Sequence, residues 1–146
     1  MKKLAVMQYA IVAVMAGLVI GCAAGGKGAS DAEQITGVLT AWKAAIQAKD
    51  IDAMLATCSE NFSHDGTDYQ AGDREKLRDF VEGAIDMKYL DNVEISFQGA
   101  KKNIEGNKAV VYPIDYSNVA GAVTMELTLA KEKKGWLITD MKIEGL

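Results

Sequence analysis

The pattern of apolar and polar positions divides the chain into segments of different period. Ile35, Val38, Leu39, Trp42, Ala45 and Ile46 recur at steps of three and four, which predicts a helix with one apolar face. Ser30 precedes it and Glu33 follows three residues on, the spacing of a capping box. Asp50 predicts a second N-cap, opening a short helix with Ile51, Met54, Leu55 and Cys58 inward. Phe62–Asp65 reads as a short extended piece and Gly66–Gly72 as a loop. Asp73 then caps a third helix with a stripe of Leu77, Phe80, Val81, Ala84 and Ile85. Its opposite face alternates in sign from Arg74 to Glu82, as a solvated surface does.

From Val93 the period becomes two. Val93, Ile95 and Phe97 alternate with polar residues, and a Glu105–Lys108 turn leads into a strand over 109–116. A turn over 118–121 precedes Val123, Met125, Leu127 and Leu129, and a charged turn over 131–135 precedes a strand over 136–143. Four strands with short connections predict an antiparallel meander, whose apolar face the three helices must cover. The fold class is therefore α+β. Pro113 inside a strand predicts an edge or a bulge. Strict alternation places Asp115 with Val111 and Pro113, and Tyr112 with Ile114 and Tyr116 on the other face.

The first 22 residues have a different character. Lys2 and Lys3 precede an uncharged stretch from Leu4 to Ile20, ending in Val19-Ile20-Gly21-Cys22. That ending resembles the lipobox of bacterial lipoproteins. The resemblance implies a signal peptide over 1–21, diacylglyceryl and usually acyl chains on Cys22, and a lipidated tether over 22–30. It also implies a palmitate-type anchor in the cell envelope. Ala23, in place of aspartate, favours the outer membrane facing the periplasm in a Gram-negative host. Each buried methylene contributes about 0.8 kcal/mol, so two or more chains hold a protein stably. The folded domain then spans 31–146.

Composition narrows the chemistry. The 146 residues carry a formal charge of −4 and contain two cysteines, one histidine and one proline. No basic tract could neutralise a run of phosphates, so no nucleic-acid partner is expected. Two cysteines make no disulfide framework, and no Cys/His spacing suits a metal. No phosphate loop, dinucleotide fingerprint or serine elbow occurs, so no cofactor is expected.

Three helices and a curved sheet within about 115 residues follow the order of the nuclear transport factor 2-like superfamily. The segment Val38–Leu55, with Trp42 before an A..A.D.D.ML helix break, resembles that fold's opening. Glu60–Gly66 is similar to its segment entering the pocket. The resemblance, which takes in SnoaL-like and ketosteroid-isomerase-like proteins, implies a cone with a cavity between sheet and helices. In the isomerase-like members an aspartate is the base, while a helix-one tyrosine and a protonated strand carboxylic acid hold the oxyanion. Carried over by position, Asp65 matches the base and Trp42 stands where the tyrosine would be. Asp115 lies one strand too early for the acid, and Glu126 alternates away from the apolar face. Each missing oxyanion donor forfeits about 3–4 kcal/mol.

His64 and Asp65, as neighbours on one extended piece, point to opposite faces and make no simple dyad. Trp42, Tyr112, Tyr116 and Trp136 could line an apolar pocket with polar anchors, or fill a small core. Ligand contacts are expected among Trp42, His64, Asp65, Tyr112, Tyr116 and Trp136. The leading expectation is a membrane-anchored module that binds a small apolar or amphipathic ligand or docks a partner, without catalysis. Two rivals are an isomerase- or dehydratase-type enzyme with Asp65 as base, and a homodimer formed through the sheet.

Overall fold

A computed structural model describes residues 28–63 and 74–145. The helix α1 (Asp31–Ala48) starts where the capping box predicts. The Ser30 hydroxyl accepts from the Glu33 N–H at 3.2 Å, and the Glu33 carboxylate accepts from the Ser30 N–H at 2.8 Å. Lys49 ends the helix in the left-handed conformation, and its N–H caps the Ala45 and Ile46 carbonyls. Asp50 then opens α2 (Ile51–Ala56), its carboxylate accepting from the Ala53 N–H at 3.0 Å. The third helix, α3 (Arg74–Asp86), buries Leu77, Val81 and Ala84. The proposed cap Asp73 and the Gly66–Gly72 loop lie outside the described residues.

Among the described residues six strands form one sheet: β1 (Cys58–Ser63), β2 (Glu94–Ser96), β3 (Lys101–Glu105), β4 (Lys108–Asn118), β5 (Gly121–Glu132) and β6 (Gly135–Glu144). Their order is β1-β6-β5-β4-β2, with β3 also paired to β4. All pairs are antiparallel except β1 with β6, which run parallel. The three long strands β4, β5 and β6 are the predicted meander. The rest of the sheet departs from expectation in two places.

Cys58 does not close the second helix. That helix stops at Ala56, the Thr57 carbonyl accepts from the Ile138 N–H at 2.9 Å, and Cys58 begins β1. Pairing with β6 outweighs continuation of a helical pattern six residues long, because a short helix has little cooperativity to lose. The other departure is that the period-two stretch after Val93 shortens to three residues. A separate strand, β3, follows in Lys101–Glu105, where only Ile104 is even partly buried.

The core lies between α1, α2, α3 and the inner face of the sheet. Ile35, Leu39 and Trp42 of α1 are buried with Val111, Ile114, Leu127, Leu129 and Ile138 of the long strands. Phe80, placed in the apolar stripe by spacing, is instead 45% exposed on α3. Arg74, placed on the solvated face, is only half-exposed. Its guanidinium donates to the Leu55 carbonyl through Nε at 3.2 Å and Nη2 at 2.9 Å, tying α3 to the end of α2.

Two slips between the long strands shape the sheet, and the β1–β6 pairing is irregular as well. The β4–β5 register slips between Val111 and Ile114, around Pro113, and the β5–β6 register slips between Thr128 and Leu129. A bulge adds one residue to one strand and bends it, increasing the local twist. On β4 it also resets the alternation. Val111 and Ile114 are both buried although three residues apart, so every side chain beyond Pro113 lies on the face opposite to that given by strict alternation.

Candidate functional site

That reset decides what stands at the far end of the cone. Tyr112, before the slip, is 39% exposed on the outer face and donates its hydroxyl proton to the Glu144 carboxylate at 3.1 Å. Tyr116, beyond it, joins Ile114 on the inward side and is half-buried. The two tyrosines therefore do not share a face. Asp115, placed with Val111 by strict alternation, is exposed between Ser96 and Thr124 in the ladder. The bulge brings Ile114 in and turns Asp115 out.

A cleft of about 630 Å³ opens at this end, between the second half of α1 and the ends of β2, β4, β5 and β6. Ile95, Tyr116 and Val123 give it an apolar side, since they belong to the inward set of their strands. Tyr116 pairs with Ile95 on one flank and Val123 on the other, which puts the three in one row across the sheet. The residues that alternate with them, Glu94, Ser96, Asp115, Ser117, Thr124 and Glu144, give it a polar rim, closed on the helix side by Lys43 and Gln47. Lys43 Nζ lies 5.9 Å from the Phe97 ring centroid, the outer limit of a cation–π contact. Burial raises the Tyr116 hydroxyl above the ordinary tyrosine value, partly offset by its hydrogen bond with Asn118. Tyr116 is therefore a neutral phenol near pH 7.

The other aromatic candidates lie elsewhere. Trp42 is 1% exposed in the core, and its Nε1–H finds no acceptor among the described residues. Trp136 is buried at the opposite end of the cone, where its Nε1–H donates to Asp31 Oδ1 at 3.0 Å. Lys131 Nζ donates to the same oxygen at 2.7 Å. The two donors, Lys131 first, hold the Asp31 carboxyl below its ordinary value. Cys22, His64 and Asp65 lie outside the described residues. Of the aromatic candidates, the structure brings only Tyr116 to the cleft.

Alternation marks Ile95 and Val123 as apolar strand positions without assigning them to a site, and the sequence reading names neither Lys43 nor Gln47. Gln47 sits one turn beyond Lys43 on α1, and that i, i+4 polar pair beside the apolar stripe was the one available signal.

Cys58 is a buried thiol whose pKa burial pushes up to about 11. Among the described residues no group of three or more His, Cys, Asp or Glu side chains could hold a metal ion, and no helix is long and apolar enough to cross a membrane.

No protein-family model and no curated protein matches the sequence. Solved structures do match. A Nostoc punctiforme protein of unknown function with a cystatin-like fold aligns at TM-score 0.63 and 15% identity, over 75% of this chain and 86% of its own. A Shewanella oneidensis protein described as NTF-2 like, also of unknown function, aligns at TM-score 0.61 and 16% identity, over 78% and 98%. A Thiobacillus denitrificans protein described as a putative calcium/calmodulin-dependent protein kinase type II association domain aligns at TM-score 0.61 and 13% identity, over 76% and 94%. Likeness at such identities carries the architecture and no activity. The curved sheet, its helical cover and these alignments agree that the domain has the nuclear transport factor 2-like cone fold.

Proposed function

We propose that the chain is a lipid-anchored binding module of the cell envelope, and that its cleft takes a small amphipathic ligand without transforming it. The observation that carries this reading is the cleft itself. Its volume of about 630 Å³ lies within the range of about 300–1,000 Å³ usual for small-molecule sites. An apolar group would lie against Ile95, Tyr116 and Val123, and a polar group would meet the rim. Three carboxylates against one lysine favour a neutral or cationic polar group over an anionic one.

Binding is favoured over isomerase chemistry because the acids of the rim, Glu94, Asp115 and Glu144, are exposed to water. An oxyanion acid must be desolvated to stay protonated near neutrality. The anchor at Cys22 rests on the lipobox resemblance. The enzyme alternative rests on Asp65, and Asp65→Asn should abolish any turnover that is found.

Native mass spectrometry of protein purified from its own membrane tests the reading. It should show a non-covalently bound small molecule, lost in Tyr116→Ala and kept in Tyr112→Ala. A chain that carries nothing, or a ligand indifferent to Tyr116, overturns it. A second reading, a homodimer through the sheet, is favoured by a groove of about 540 Å³ on its outer side, bordered by Asn61, Lys108, Glu126, Thr128 and Lys142. It agrees with the association-domain description of one structural neighbour. The same spectra report the oligomeric mass.

A further inference from the structure

The charged groups of the cleft do not balance one another. Glu94, Asp115 and Glu144 line it against Lys43 alone. Acids on neighbouring elements have bases of their own: Asp91 meets Lys49, Asp52 meets Arg78, and Glu126 meets Lys142 at 3.7 Å. Among the described residues no lysine or arginine stands within ion-pair distance of Glu94, Asp115 or Glu144, and Glu144 has the Tyr112 hydroxyl as its partner. Lys43 lies toward the Phe97 ring, on the helix side.

The ladder fixes how the acids are spaced. Glu94 is opposite Ser117 and Ser96 is opposite Asp115, so Glu94 and Asp115 are diagonal neighbours on one face of β2 and β4. Diagonal neighbours lie about 7–8 Å apart. Two carboxylates so placed repel each other, and a cation between them relieves the repulsion. Asp115 is opposite Thr124, which is opposite Glu144, so a hydroxyl stands between the second acid and the third. Ser96, Ser117 and Thr124 supply further acceptors for N–H donors. The apolar row of Ile95, Tyr116 and Val123 lines the same cleft.

Resting on the reading of this cleft as a ligand site, we infer that its ligand is an amine, protonated at neutral pH and carried on an apolar body. The ammonium sits at the rim between Glu94 and Asp115, and the body lies against Ile95, Tyr116 and Val123. A carboxylate in the same position meets three like charges and is rejected. Acids open to water each add a factor of about two to three, so these two together give a preference of about fivefold.

Equilibrium dialysis of the full chain with three probes of one shape, 3-phenylpropylamine, 3-phenylpropanol and 3-phenylpropionate, tests this. At low salt the amine should bind about fivefold more tightly than the alcohol, and the carboxylate more weakly than either. Added salt should shrink the spread. In Glu94→Gln/Asp115→Asn the amine and the alcohol should come to parity; their ratio, taken on one preparation, cancels any general loss of folding. Parity in the unaltered chain, or a preference that survives the double variant, overturns the amine. If the alcohol is then still lost in Tyr116→Ala, the ligand site itself stands. Binding of none of the three probes, or binding indifferent to Tyr116→Ala, overturns both.

Discussion

Trp42 gives a direct test of how the interior is built. Its indole is buried, and its N–H has no acceptor among the described residues. A buried donor left without a partner costs about 1–3 kcal/mol. Trp42→Phe deletes that donor while keeping an aromatic ring in the core. It also removes about 40 Å³ of side chain, and at about 24 cal/mol per Å³ of unrelaxed cavity this costs about 1 kcal/mol. The two effects oppose each other, so the variant should lie between unchanged and about 2 kcal/mol more stable. Trp42→Ala has the same relief but opens a far larger void, and it should lose about 3–5 kcal/mol. Urea unfolding followed by far-ultraviolet circular dichroism measures both, provided the slope with denaturant stays constant. A Trp42→Phe variant destabilised by about 2 kcal/mol or more would refute the reasoning, because the N–H would then be contributing through a bonded partner.

Three further outcomes follow from the titrating groups. Asp31 has a lowered pKa in the fold, so its contribution is present above the ordinary value of 3.8 and lost as pH falls through the folded value. Asp31→Asn should therefore flatten the acid limb of a stability-against-pH curve, and an unchanged limb would contradict the contacts with Lys131 and Trp136. Tyr112, through its hydrogen bond to Glu144, and Tyr116, through burial, are both raised above 10.0. The unfolded chain ionises them first, so melting temperature should fall as pH climbs past 10, and the double variant Tyr112→Phe/Tyr116→Phe should soften that fall. Cys58, with its thiol raised to about 11 by burial, should resist a disulfide reagent near pH 8 until denaturant is added; rapid labelling of folded protein would contradict its place in the core.

The elements that sequence reading found are those whose signal is local. The Ser30–Glu33 box and the Asp50 cap are side-chain-to-backbone bonds within three residues, and both are present as read. The long strands carry alternation over ten or more residues, enough to survive one slip. Strand β1 was not legible as a whole, because parallel pairing with β6 joins positions about eighty residues apart and leaves no mark on the Cys58–Ser63 pattern. Strand β3 was hidden for a related reason, since four of its five residues are exposed and among the described residues it pairs with β4 alone.

The cleft was partly legible for the same physical cause. Pro113 announced a bulge, but period-two counting could not say which strand partner would slip or on which side of the proline the phase would change. Strict alternation puts Tyr112 and Tyr116 on one face, whereas the slip between them leaves the first outward and turns the second into the cleft. Lys43 and Gln47 depend on how α1 crosses the sheet, a relation that helix periodicity alone does not contain.

The central claim is that the end of the cone bearing Tyr116 receives a small molecule, and a crystal structure of the chain purified from its own membrane tests it most directly. Non-protein density against Ile95, Tyr116 and Val123, with a polar group at the rim, is the expected result. Ordered solvent alone in that cleft, with a second copy seated on Tyr112, Glu126 and Lys142 of the outer face, would contradict it.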